Sequence, residues 1–125
     1  MNDLNVKKCM KCGALVIVVD DCKCDNCGIK CCNQEMSIKL PNVEDASYEK
    51  HMPEYEIIDN KIKVVVNHPM EEDHYIEFIA LVKDDLKIVK YLNYKDEASV
   101  VFDLIEDSTI YAMCNKHGLW KKDIK

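Results

Sequence analysis

The sequence predicts an all-β fold: an antiparallel β-sandwich preceded by a small cysteine-rich domain. Three observations carry that expectation. From about residue 40 onward, short runs of β-branched and aromatic residues alternate with polar ones and are separated by turn residues. No segment sustains a helical period. Seven of the eight cysteines lie between Cys9 and Cys32, in a stretch with little else from which to build a core. The expected boundaries are 1–38 for the cysteine-rich domain and 39–125 for the sandwich.

Along the second region, PNVEDASYEKHMPE (residues 41–54) reads as a loop. YEIIDNKIKVVVN has apolar runs on both sides of Asp59-Asn60, the pattern of a hairpin with a tight turn. HYIEFIALV alternates from Tyr75 onward, and LKIVKYLNY repeats the pattern after the turn signal Asp84-Asp85. SVVFDLI and STIYAMC complete the set. Several short strands joined by turns favour two packed antiparallel sheets.

The 125 residues, 48% of them hydrophobic, suffice for one domain with a small appendage. A formal charge of −6 argues against sequence-independent nucleic-acid binding, which needs a basic surface. MNDLNVKKCMK lacks the apolar core of a signal peptide. The longest apolar run, Ala14 to Val19, falls far short of a membrane span. A cytoplasmic protein with no membrane partner is therefore expected, and in that setting clustered cysteines point to metal rather than disulfides.

Cys9 and Cys12 form a CxxCG unit, Cys24 and Cys27 form another, and Cys31-Cys32 is an adjacent pair, with Cys22 apart. Four thiolates make a tetrahedral site for zinc or a single iron. Spacing alone mildly favours Cys9, Cys12, Cys24 and Cys27, as in a zinc ribbon or a rubredoxin-type pair of knuckles. The alternative set is Cys9, Cys12, Cys31 and Cys32. Each of His51, His68, His74 and His117 alone would read as a surface or satisfied core residue. All four lie in segments with loop or strand-end character, and His117 stands three residues after Cys114. That pairing suggests a histidine-rich metal site with one thiolate.

EKHMP, HPMEEDHYIEF and CNKHGLWK, in this order, resemble the three signature segments of superoxide reductase. The N-terminal CxxCG, followed by the adjacent cysteines and Met36, resembles the desulforedoxin-like domain of the two-iron form, desulfoferrodoxin. This resemblance implies an immunoglobulin-like sandwich whose iron, cycling between Fe(II) and Fe(III), is held by His51, His68, His74 and His117 with Cys114 as axial thiolate. It also implies iron, or zinc, held by Cys9, Cys12, Cys31 and Cys32, overriding the spacing preference for Cys24 and Cys27. The implied reaction is one-electron reduction of superoxide to hydrogen peroxide. Lys50 would steer the anion and order a proton-delivering water, and Glu49 would occupy the open position of the oxidised iron. Backbone amides of residues 115–117 would temper the thiolate. The implied donor is rubredoxin, and the implied assembly is a homodimer.

The chain departs from that pattern in one place. DDCKCDNCGIK replaces the usual glycine-rich loop, and Asn33 replaces the glycine that usually follows the cysteine pair. Cys22, Cys24 and Cys27 are then spare thiols, alternative ligands or a disulfide. Two other readings compete with the reductase: a two-iron electron carrier without substrate, and a zinc-stabilised binding module.

Overall fold

A computed structural model describes residues 2–25, 27–44 and 48–124. The chain divides into two compact units, Asp3–Leu40 and a larger one comprising Met1–Asn2 and Pro41–Lys125.

The smaller unit has more structure than its cysteine-dominated composition suggests. Strand β1 (Val6–Lys8) pairs antiparallel with β2 (Leu15–Ile17) on one side and β5 (Ser37–Lys39) on the other. Val6, on the central strand, is fully buried, and Leu4, Cys9 and Met36 are buried with it. β3 (Lys30–Cys31) and β4 (Gln34–Glu35) form a separate hairpin in which Cys31 pairs with Gln34. Its two turn residues, Cys32 and Asn33, both have positive φ, 55° and 63°. Two-residue hairpins favour such left-handed turns because their twist matches that of the strands. Asn tolerates that region better than most side chains, which explains why it can stand where the related pattern has glycine.

The larger unit is the sandwich. One sheet has the order β10-β7-β6, built from β6 (Glu54–Ile58), β7 (Lys61–Val65) and β10 (Ser99–Asp103). The other has the order β12-β11-β8-β9, built from β8 (Ile76–Lys83), β9 (Leu86–Tyr91), β11 (Thr109–Cys114) and β12 (Gly118–Asp123). All pairings are antiparallel. This is the arrangement of an immunoglobulin-like sandwich in which the fourth strand pairs with the third rather than the fifth. Ile62, Val64, Val100 and Phe102 from the first sheet meet Ile79, Leu81, Ile110 and Ala112 from the second in one core. Truncating a fully buried member such as Ile79 to Ala would cost about 2–5 kcal/mol.

The turn signals hold: Asp59 and Asp84, at the two expected hairpins, take positive φ of 55° and 50°. Three local expectations need correction. Strand β9 stops at Tyr91 rather than running through LNY, because Asn93 and Asp96 close a turn, with the Asp96 carboxylate accepting from the Asn93 N–H at 2.7 Å. The loop expected at 41–54 contains one helical turn, α1 (Tyr48–His51), and residues 45–47 lie outside the described residues. β12 was not foreseen, since GLWKKD has too few apolar residues to show an alternation; β11 supplies its partner along six residue pairs.

Candidate metal centres

The histidine–cysteine cluster gathers at one end of the sandwich, and each contributor reaches it for a local reason. Cys114 ends β11, where the register with β8 shifts between Met113 and Cys114. Met113 pairs with Phe78 but Cys114 pairs with Ile76, so Glu77 is the extra residue of a bulge. Bulges re-aim side chains, and this one leaves Cys114 fully buried with the sandwich core. Cys114 pairs with Gly118 across a turn of three residues, which returns His117 to the sulfur. Gly118 is favoured there by its backbone conformation. Its φ is +81°, and a Cβ would lie 2.7 Å from the side chain of Glu44.

His51 closes α1 and is buried, its ring stacked on Trp120 at 5.2 Å between centroids. Trp120 donates its indole N–H to the His117 carbonyl at 3.0 Å, so a single side chain braces two histidines. The segment leading to α1 is tied down at Asn42, whose N–H donates to the Leu119 carbonyl and whose side chain pairs with the Lys121 backbone in both directions. His68 follows β7, and His74 sits in the turn closed by reciprocal backbone bonds between Glu71 and His74. Asn115 clamps that turn on both sides of His74. It accepts from the Tyr75 N–H at 3.0 Å and donates to the Asp73 carbonyl at 3.0 Å.

The four rings form a closed circuit, with neighbouring centroids at 4.8 Å (His51–His68), 4.6 Å (His68–His74), 5.1 Å (His74–His117) and 4.8 Å (His117–His51). The Cys114 sulfur lies 3.3 Å from His68 Nε2 and 3.8 Å from His117 Nδ1. Every donor atom of the five residues lies within 4.8 Å of the others. His68 Nδ1 donates to the Pro69 carbonyl at 2.6 Å, which leaves its Nε2 as a lone pair facing the sulfur. His117 instead turns Nδ1 inward, 3.0 Å from His51 Nε2.

Electrostatics favours the neutral form of two of these rings. Burial pushes His68 down to about 4, and the neighbouring imidazoles push the same way against the Pro69 carbonyl. Burial also lowers His74, with His117 and Lys116 adding to the effect. The His74 Nε2 is buried and has no hydrogen-bond partner. An unpartnered buried nitrogen facing three other imidazoles and a thiol is costly, and a metal ion is the one occupant that satisfies all five donors together. Imidazole and thiolate suit a transition metal and not calcium or magnesium.

Glu49 and Lys50 lie on α1 immediately before His51, and both are exposed. The N–H of Asn115, one of the amides expected near the sulfur, donates to the Tyr75 carbonyl at 3.2 Å. The side chains of Trp120, Asn115 and Asn42 were not singled out from sequence as supports of the site. The CNKHGLW segment holds the first two, but only the fold reveals which atoms they reach.

The second cluster brings together Cys9, Cys12, Cys31 and Cys32, again with every donor atom within 4.8 Å of the others. Cys12 and Cys31 sulfurs are 3.6 Å apart, and those of Cys31 and Cys32 are 3.9 Å apart. The CxxCG unit forms a knuckle in which the Cys12 N–H donates to the Cys9 sulfur at 3.4 Å and the Gly13 N–H to the Cys9 carbonyl at 2.9 Å. The Cys12 backbone N–H is the main reason that the Cys9 thiol is held down at about 6. Cys31 is pushed up to about 12, first by its hydrogen bond with Cys12 and then by Cys9 and Cys32, and Cys32 is raised for related reasons. Thiols this close raise Cys31 and Cys32, and a bound cation would take the place of their protons. The set favoured by spacing, with Cys24 and Cys27, is not assembled: those two are joined as a disulfide.

An all-β protein with a ring of four histidines above a buried cysteine, and four further cysteines in a knuckle and hairpin, is a protein of the superoxide reductase fold. The desulfoferrodoxin family model matches residues 35–123. The desulfoferrodoxin of Desulfarculus baarsii is 42% identical over 128 residues, covering 96% of each chain. That of Nitratidesulfovibrio vulgaris is 35% identical and covers 98% of each. Among solved structures, the superoxide reductase from Treponema pallidum superposes with a TM-score of 0.72 at 25% identity, covering 96% of this chain and 98% of that one. The chain belongs to the desulfoferrodoxin family. Its structural relatives and its donor clusters make it a metal-binding oxidoreductase. Among the described residues, no helix is long and apolar enough to cross a membrane.

Proposed function

We propose that the protein is a superoxide reductase, reducing superoxide by one electron and two protons to hydrogen peroxide without releasing dioxygen. The observation that carries this reading is the convergence of His51, His68, His74, His117 and Cys114 donor atoms within 4.8 Å, with the His74 nitrogen otherwise unpartnered. These five residues would hold iron. When bound, iron supplies the electron and a position at which a small anion can be reduced.

The chain's own groups meet the other demands of the reaction. Neutral imidazoles and a single thiolate leave ferrous iron with a net positive charge, which attracts an anion although the whole protein carries −6. Lys50, exposed beside His51, adds a local positive charge and a donor through which water can be ordered and protons delivered. Glu49 provides a hard carboxylate suited to the oxidised metal. Trp120 and the Pro69 carbonyl fix the rings of His51 and His68, so little reorganisation accompanies electron transfer.

Cys9, Cys12, Cys31 and Cys32 would hold a second iron, or zinc, within a domain spanning 1–38, the catalytic domain being 39–125. Four thiolates leave no place for substrate, so with iron this centre would carry electrons only, and with zinc it would be structural. We assign a rubredoxin-like carrier as donor, a homodimeric assembly and a cytoplasmic setting; cysteines gathered as metal donors suit a reducing compartment. The test is pulsed generation of superoxide over the reduced, iron-loaded protein. Peroxide formed in one-to-one proportion to oxidised centre, without dioxygen, is the expected result; iron that stays reduced through the pulse would reduce the protein to an electron carrier.

A further inference from the structure

Neither donor cluster uses Cys22, Cys24 or Cys27, the cysteines by which this chain departs from the family pattern. We propose that Cys24 and Cys27 form a reversible dithiol–disulfide couple, a thiol-exchange site whose substrates are thiols and their disulfides. The two residues are bonded to each other and lie outside both clusters. Cys24 is exposed and Cys27 half-buried, so an incoming thiol reaches the Cys24 sulfur directly. A third thiol, Cys22, is free and exposed two residues away.

A purely structural disulfide is a poor account of this bond. It joins residues three apart whose Cα atoms are 5.9 Å from each other, and it ties no second strand to the loop. Stabilisation by a cross-link grows with the length of chain it encloses, and this one encloses almost none. The loop is already fastened at both ends. Before it, the Asp21 carboxylate accepts from Lys7, Asn5 and the Cys22 N–H. After it, the Ile29 carbonyl accepts from the Met36 N–H at 2.9 Å.

The exchange balances as follows. An external thiolate attacks the Cys24 sulfur, the Cys24–Cys27 bond breaks, and Cys27 leaves as a thiolate that takes up a proton. A second external thiol then attacks the mixed disulfide on its external sulfur. Cys24 is released as a thiol, and the two external sulfurs depart bonded to each other. Two electrons and two protons end on the protein; the reverse sequence returns them.

The test equilibrates the metal-loaded full chain in glutathione buffers of graded ratio, approached from both the reduced and the oxidised side. Thiols are then alkylated and the tryptic peptide 24–30, which contains Cys24 and Cys27 alone among the cysteines, is weighed. The expected result is that this peptide passes from disulfide to doubly alkylated within the buffer series, with the same midpoint from both directions. Cys27→Ser should trap one glutathione on Cys24, and Cys24→Ser/Cys27→Ser should keep the metal content of both clusters. A peptide that remains a disulfide at every ratio, or remains two free thiols at every ratio, overturns the proposal. Loss of metal from the four-cysteine cluster in the double variant overturns it too.

Discussion

Asn115 offers the sharpest test of how the histidine cluster is held. Its side chain bonds the backbone on both sides of His74 while the residue stands next to Cys114. Replacing it with Ala leaves the half-buried Tyr75 N–H without its side-chain acceptor, at a cost of about 1–2 kcal/mol, the lower part of the usual range for an orphaned donor. The exposed Asp73 carbonyl regains water and contributes close to nothing. If the loss falls on the position of His74, metal affinity drops about 5- to 30-fold, at a factor of ten per 1.4 kcal/mol. That agrees with the effect usually seen when a group supporting a ligand is removed. The assay is competition for the histidine-site metal between the protein and a coloured chelator, alongside thermal unfolding of the metal-free chain. Asn115→Asp is the control. It keeps an acceptor for the Tyr75 N–H and loses only the donor, so its affinity should lie closer to that of the unmodified chain. A dissociation constant within twofold of the unmodified protein in Asn115→Ala would refute the clamp. A fall in metal-free stability with unchanged affinity would show that Asn115 supports the fold and not the site.

Lys50→Ala should retain metal, slow the reaction with superoxide several-fold at low ionic strength and flatten its salt dependence; an unchanged rate removes Lys50 from the mechanism. Cys31→Ser and Cys32→Ser should each deplete metal from the small cluster, measured by elemental analysis, while His74→Ala should empty the histidine cluster and spare the small one. The smaller unit should also carry an acid-sensitive tie. Hydrogen bonds from Lys7, then Asn5, then the Cys22 N–H hold the Asp21 carboxyl at about 2, below its ordinary 3.8. A carboxyl lowered on folding stabilises above its unfolded value and loses that contribution as pH falls toward the folded one. The stability gap between the unmodified chain and Asp21→Asn should therefore be full above pH 4 and shrink toward pH 2, and a gap that does not change with pH would contradict the assignment.

The sandwich was legible because its strands obey local rules. β7 alternates exposed and buried along its length, and Asp59 and Asp84 occupy turns that need a left-handed residue. β8 was harder, since Ile79 and Leu81 face the core while Phe78 and Ala80 are also buried, so its alternation in burial is nearly lost. β12 was hidden for the opposite reason: GLWKKD gains its strand character from β11 and not from its own composition. The donor residues could be picked out in the sequence, but their supports could not. A tryptophan two positions past a glycine does not announce that it will stack on a histidine 69 residues earlier.

The small cluster shows where spacing arguments stop. By count alone, the two CxxC units are equivalent candidates to share a metal. What separates them is backbone geometry that a count does not contain. Cys31 ends a strand and Cys32 opens a left-handed turn, so two adjacent residues that would alternate to opposite faces of an extended strand are instead brought to one point. Cys9 and Cys12 reach that point from a knuckle whose amides already favour a thiolate. Once those four converge, the second CxxC unit is left on an exposed loop with no fifth or sixth position to fill. The physical constraint that makes the hairpin turn necessary is therefore the same one that frees Cys24 and Cys27 for other chemistry.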